Sequence, residues 1–245
     1  MTQTLVSGTS GATASRNLPM RILGVLFSPR ATYADVAARP RALGVLAFVV
    51  LAGMAGVFLF MSSEVGQNAF IDQQVQQREA FGRPLTDEQY DRLEGMVQYA
   101  PYIGAAFQLV SLPVLAAIVA GIAFAVFNAV LGGDATFKQV FAVVTHSGVV
   151  LTVAQLFGLP LAYARETMSG ATNLGIFVPF LQEDTFAIRF LGAIDLFILW
   201  WTVSLAIGLG VLYRKRTGPI ATTLILIYIA IGIVVATVKT VMSGA

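Results

Sequence analysis

Cysteine is missing from all 245 residues, which excludes disulfides, thiolate metal sites, iron–sulfur clusters and cysteine nucleophiles. Histidine is almost missing too: His146 stands alone, and one imidazole without thiolates falls short of the ligand set zinc takes in proteins. The acidic residues lack the spacing of an EF-hand loop. No phosphate-binding glycine loop, nucleophile elbow or HExxH pattern is present. Nothing in these residues calls for a cofactor. Charge is the third shortage, at 11% of residues where a soluble domain carries about 25%. The formal net charge is only +2, and the basic residues flank hydrophobic segments instead of forming one patch, which speaks against a nucleic-acid partner.

What the chain has in abundance is apolar residues, 57% of the total, and their arrangement points to lipid as the main solvent. Crossing a hydrocarbon core about 30 Å thick takes roughly 20 apolar helical residues. Five segments qualify: 43–61, 99–131, 137–163, 191–213 and 220–241. Pro113 is expected to kink the second, which is long enough to tilt or project beyond the bilayer. Continuous apolar runs exclude the alternating short strands of a closed barrel. The expected fold is an all-α integral membrane protein, a five-transmembrane-helix bundle with a short interfacial helix and a partly helical outer loop at 62–98. Residues 1–20 are rich in Ser, Thr, Ala and Gly, with Arg16 their only charge. They lack the apolar core of a signal peptide and read as a disordered tail, leaving 21–245 as the membrane domain.

Orientation follows from Lys and Arg near the span ends. Arg16, Arg21, Arg30, Arg39 and Arg41 precede the first span, Lys138 opens the third, and Arg214, Lys215 and Arg216 separate the fourth from the fifth. That side is expected to be cytoplasmic. The opposite side holds Glu64, Asp72, Glu79, Asp87, Glu88, Asp91 and Glu94 against Arg78, Arg83 and Arg92. Five spans then put the N-terminus in the cytoplasm and the C-terminus outside.

Ahead of the first span, Ser28 reads as a helix cap with Pro29 in the first helical position. This helix has two open placements. It can lie along the cytoplasmic leaflet, with Tyr33, Val36 and Ala37 toward lipid and Arg30 and Arg39 on anionic head groups, or it can pack on the cytoplasmic ends of the bundle. In the outer loop, Thr86-Asp87-Glu88-Gln89 matches a capping box, predicting one or two short helices. The segment 169–181 is apolar but interrupted by Gly170, Gly175 and Pro179, and is too short to cross.

Ionisable and polar side chains within spans are the functional candidates, because hydrocarbon penalises them unless partnered. Asp195, about one turn inside the outer end of the fourth span, shares the outer half with Gln108 and Gln155. His146 shares the inner half with Asn128. Asn128, His146, Gln155 and Asp195 could line an ion or proton path, or make interhelical hydrogen bonds that fix packing, each worth about 1 kcal/mol. Small-xxx-small pairs, Ala52 with Gly56, Ser204 with Gly208 and Ala206 with Gly210, let helices approach closely.

Three stretches together resemble the bacterial Yip-domain family, relatives of the eukaryotic Ypt-interacting proteins. The first is Phe27-Ser28-Pro29-Arg30-Ala31-Thr32-Tyr33, followed by Val36 and Arg39-Pro40. The second is the glycine-rich turn Gly132-Gly133-Asp134-Ala135-Thr136 and the helix after it. The third is Asp195-Leu196-Phe197-Ile198-Leu199-Trp200 running into Ile207-Gly208-Leu209. Together they cover almost the whole chain, and the candidate motif positions are Pro29, Thr32, Tyr33, Pro40, Gly132, Gly133 and Trp200. Physically, Pro29 and Pro40 would bound a short helix, Gly132-Gly133 would turn tightly, and Asp134 or Thr136 would cap the next helix. Trp200 and Trp201 fall in mid-span, suited to packing or, less simply, to stacking on a substrate. The resemblance implies five helices in a bacterial inner membrane, a cytoplasmic N-terminus and no recognised catalytic constellation. Its implied partners are the bilayer with its anionic head groups and either a protein partner or a second copy. Two functions emerge as expectations: a non-enzymatic organiser of membrane or protein partners, or a small ion or solute transporter or channel using the intramembrane polar residues.

Overall fold

The computed structural model describes residues 16–79, 81–168, 170, 172–181 and 185–242. The expected disordered tail therefore lies outside the described residues for 1–15, while its last three residues, Leu18 to Met20, already belong to the first helix. That helix, α1 (Leu18–Phe27), starts where the Asn17 side chain accepts from the Met20 amide, with proline in the first turn. A single residue separates it from α2 (Pro29–Ala38). Next in the chain come α3 (Leu43–Met61), α4 (Glu64–Glu79), α5 (Asp87–Met96), α6 (Ala100–Phe124), α7 (Phe137–Ser147), α8 (Val149–Ala164), α9 (Phe186–Ala193), α10 (Leu196–Leu212) and α11 (Thr217–Met242). Among the described residues there is no strand, only one isolated bridge between Asn173 and Asp195.

Four stretches are long and apolar enough to cross a membrane: Leu43–Met61, Asp87–Val130, Phe137–Ala164 and Thr217–Met242. The expected fourth span is the correction. It is broken at Ile194 and Asp195, whose backbones are extended, so the apolar run 191–213 yields α9 and a 17-residue α10. At 1.5 Å per residue that is about 26 Å, just short of a 30 Å core. Hydropathy adds up side chains and does not register a carboxylate that stops a helix by capping the next one.

Elsewhere the local signals become structure. Thr86 and Gln89 form the reciprocal capping box that opens α5, and α5 continues through a turn of 3-10 helix into α6 without a break. Pro113 sits inside α6 without ending it. Between the π-helical turn Ala125–Val130 and α7, Gly132 adopts φ +67°, a conformation that suits a residue without a Cβ. At Gly133 a Cβ would fall 2.6 Å from the Tyr213 ring. Thr136, not Asp134, caps α7, again in a reciprocal box with Gln139.

The ends of the bundle differ in charge. Arg39, Arg41, Lys138 and the 214–216 cluster gather at one end, where Gln139 Nε2 donates to Ala37 O at 3.0 Å and the Gly210 backbone meets Lys215 and Thr217. We call this the basic end; the 62–98 segment with its seven carboxylates lies at the other, acidic end. The main core sits toward the basic end and includes Tyr33, Val36, Val45, Val140, Val143, Val149 and Leu209.

The α1–α2 pair is the structural surprise. Of the two placements open from the sequence, contact with lipid through Tyr33 and Val36 is overturned: both are 0% exposed, as is Thr32. The helical hairpin is wedged between helices, α2 against α7 and α10 and α1 against α3, α7 and α8. Since α8 begins at Val149, twelve residues on from Phe137, contact with α8 carries α1 about 18 Å along that rod. Small residues make the wedge possible. A Cβ on Gly208 would lie 2.5 Å from Val143 and 3.0 Å from the Tyr33 ring, and Ser204 one turn away meets the Tyr33 hydroxyl at 2.7 Å.

Candidate functional site

Three groups of polar side chains tie the bundle together, at the hairpin, the glycine turn and the break before α10. The first belongs to the hairpin. Arg21, 4% exposed although charged, pairs with Asp35 across the hairpin at 2.9 Å, and its Nη2 also donates to Arg39 O at 3.1 Å. Nearby, Tyr33 bonds Ser204; burial holds its phenol above the usual tyrosine range, so it stays protonated. His146 is 0% exposed, and its Nδ1 lies 2.6 Å from Ala142 O. A carbonyl can only accept, so Nδ1 carries the proton. Nε2 is buried and has no hydrogen-bond partner among the described residues.

The second group closes the turn between the second and third long helices. Asn128 Nδ2 donates to Ala135 O at 2.7 Å and its Oδ1 accepts from Tyr213 OH at 2.7 Å, while the Tyr213 ring stacks on Phe127 at 4.7 Å. Both ends of the amide are used. Asn128 ties the glycine turn to the end of α10, and it does not meet His146.

The third group surrounds the break before α10. Asp195 does not lie a turn inside a span; it is the N-cap of α10, its Oδ1 accepting from the Phe197 and Ile198 amides at 2.7 and 3.1 Å. Its Oδ2 accepts from Thr172. Non-helical backbone within a bilayer must have its polar groups satisfied by protein, and here they are. Tyr228 OH accepts from the Asp195 amide and donates to Ala193 O, both at 2.9 Å. The Leu174 amide donates to Ile194 O, and the Leu196 amide to Thr172 O. The described part of the expected outer segment 169–181 thus folds back against the break.

Replacing Asp195 by alanine should cost about 0.5–2 kcal/mol through the lost cap, whereas Asp195→Asn should retain most of the stability, since asparagine caps as well as aspartate. Thermal unfolding in detergent checks the ranking; equal losses for both would mean the negative charge matters more than the cap.

Asp195 and Gln155 line one cavity of about 350 Å³ together with Thr172, Asn173 and Phe60. Gln155, whose Nε2 donates to Gly53 O at 3.2 Å, also lines a second cavity of about 210 Å³ with Gln108 and Thr152. Gly56 leaves the space its side chain fills. Of the four residues expected to line one path, then, Gln155 and Asp195 share a cavity, and Asn128 and His146 occupy separate packed sites.

The motif positions divide in the same way. Pro29 opens α2 and Pro40 stands just past its end, while Thr32 and Tyr33 are core residues. Trp200 is not in mid-span: it is the fifth residue of α10, 39% exposed, beside Phe197 at 6.1 Å. Trp201 is the one that packs on the core. Sequence reasoning missed Asp35, Thr152, Thr172 and Tyr228. Asp35 did leave a signal, as the sole carboxylate among five arginines before α3; the other three look like ordinary span or loop residues.

A family model described as the Yip1 domain matches residues 23–238, from the middle of α1 to the last turn of α11. No curated protein and no solved structure matches the chain.

Proposed function

This chain belongs to the Yip1 domain family, and from that premise we propose that it is a non-enzymatic multi-pass protein that organises membrane or protein partners. The observation that carries the reading is the outer face of the hairpin. While Arg21, Gly24 and Val25 of α1 are buried, Met20, Leu23 and Phe27 are 59%, 57% and 82% exposed. Spacings of three and four put them on one face. Arg30, Arg39 and Arg41 are exposed on the same segment. Apolar side chains beside arginines suit the boundary between acyl chains and anionic head groups. A second copy of the chain or another membrane protein offers the alternative cover.

The topology proposed with it has five crossings in a bacterial inner membrane, α10 making the fourth with help from α9. The basic end lies in the cytoplasm with the N-terminus, and the C-terminus lies outside, as the distribution of Lys and Arg favours. A cysteine-free chain makes this direct to test. Gly95→Cys should react with an impermeant thiol reagent in intact cells and Gly218→Cys only after permeabilisation; the reverse pattern inverts the topology.

The rival role as a transporter or channel is tested by flux in proteoliposomes across a panel of ions and small solutes. No flux above protein-free vesicles is expected. Flux lost in a folded His146→Ala or Asp195→Asn variant would replace the organising role with a conducting one.

A further inference from the structure

The 210 Å³ cavity is walled by Val49 and Gly53 of α3, Gln108 and Leu112 of α6, and Leu151, Thr152 and Gln155 of α8. Gly53 is the eleventh of the nineteen residues of α3, so the cavity lies at mid-depth of an apolar helix. Polar groups at that depth are costly unless partnered. Yet Thr152, only 8% exposed, has a buried Oγ1 with no hydrogen-bond partner among the described residues. Gln155, which lines the cleft, spends Nε2 on Gly53 O and keeps its carbonyl oxygen as an acceptor. Gln155 also lines the larger cavity, which Gly170, Thr172, Asn173 and Gly192 border at the acidic end.

We propose that this cleft binds a small uncharged polyol, held at mid-membrane by Gln108, Thr152 and Gln155. Two carboxamides and a hydroxyl donate and accept without charge, as polyol hydroxyls do. A cation finds no counter-charge beside them. Asp195 lines only the other cavity and already accepts from two backbone amides and Thr172. Water fits less well than a polyol. The volume equals that of about seven waters, each needing two to four polar partners, but three polar side chains face Val49, Leu112 and Leu151. A polyol brings its hydroxyls on a carbon skeleton that those three apolar residues can cover. The volume is below that of drug-sized sites, which keeps the ligand small.

The absence of cysteine allows a test in the full chain, reconstituted in nanodiscs so that both faces are accessible, with glycerol as the probe. Thr152→Cys should react with a small membrane-impermeant methanethiosulfonate at least about tenfold faster than Leu156→Cys, because the thiolate is the nucleophile and forms only where water reaches it. Leu156 is 70% exposed on the outside of α8 and serves as the lipid-facing control. Glycerol should slow labelling of Thr152→Cys several-fold without affecting Gly95→Cys in the 62–98 segment. Gln108→Leu, added to Thr152→Cys, should keep the labelling and abolish the protection. Should Thr152→Cys fail to fold, Leu112→Cys, on the facing wall but outside the polar set that holds the polyol, carries the same comparison. Labelling no faster than at Leu156→Cys would mean that lipid or packed side chains fill the cleft, and fast labelling unaffected by glycerol would mean that it holds water alone. Either result overturns the proposal.

Discussion

Replacing Arg21 by alanine is expected to destabilise the folded chain by about 3–5 kcal/mol, the range found when one partner of a buried ion pair is removed. The size is set by the groups left behind. Asp35, its side chain only 17% exposed, would lose the guanidinium 2.9 Å away, and Arg39 O would lose its donor. The strength of the pair itself is a separate matter, since desolvating both groups offsets most of their attraction. The double variant Arg21→Met, Asp35→Leu should therefore recover most of the loss or exceed the starting stability, as apolar replacements of buried pairs often do. Denaturant unfolding of the four proteins in the cycle reads both effects. A loss below about 1 kcal/mol for Arg21→Ala would put the pair in the class of solvent-exposed surface bridges and contradict its burial.

The second large effect is expected at Tyr33. Tyr33→Ala should cost about 3–5 kcal/mol, as deletion of a fully buried aromatic ring usually does. Tyr33→Phe should cost about 0.5–1.5 kcal/mol, the net worth of one hydrogen bond, here the 2.7 Å contact with Ser204. The order matters more than either value. If the hairpin is a wedge held by packing, the ring carries most of the effect, and Tyr33→Ala should also speed tryptic cleavage after Arg30. If it instead lies loosely on the bundle, both variants should melt alike and cleave alike.

How much of this was legible in the sequence depended on whether the deciding interaction was local. The cap of α7 stayed open between Asp134 and Thr136 until the structure showed the Thr136–Gln139 box, whereas the capping box at Thr86 is set by residues three apart, so it could be read directly. The Gly132-Gly133 turn was legible for the same reason, although the need for a bare Cα at Gly133 comes from Tyr213, eighty residues away. The small-xxx-small pairs announced close approach without naming the neighbour: Gly208 meets Tyr33 and Val143, and Gly56 makes room for Gln155. Asp195 was singled out for the right reason, an ionisable group in an apolar run, but its work is done through a hydrogen-bond set that includes Thr172 and Tyr228. No periodicity links those positions.

By itself the sequence determined the class: a helical chain that crosses a membrane repeatedly, with one basic and one acidic set of connections. Twenty-residue apolar runs and flanking charges answer to the bilayer, which acts on each segment separately. Only the tertiary structure decided that the proline-bounded helix before α3 faces inward, that the expected fourth span breaks at Asp195, and that Gln155 rather than His146 adjoins open space. The reason is physical. In water, an apolar face has one destination, but in a membrane both the solvent and the core are apolar, so hydropathy cannot tell a lipid-facing Phe27 from a buried Tyr33. That choice is made by close packing against Gly208 and by hydrogen bonds to Ser204, contacts that exist only once the helices have met.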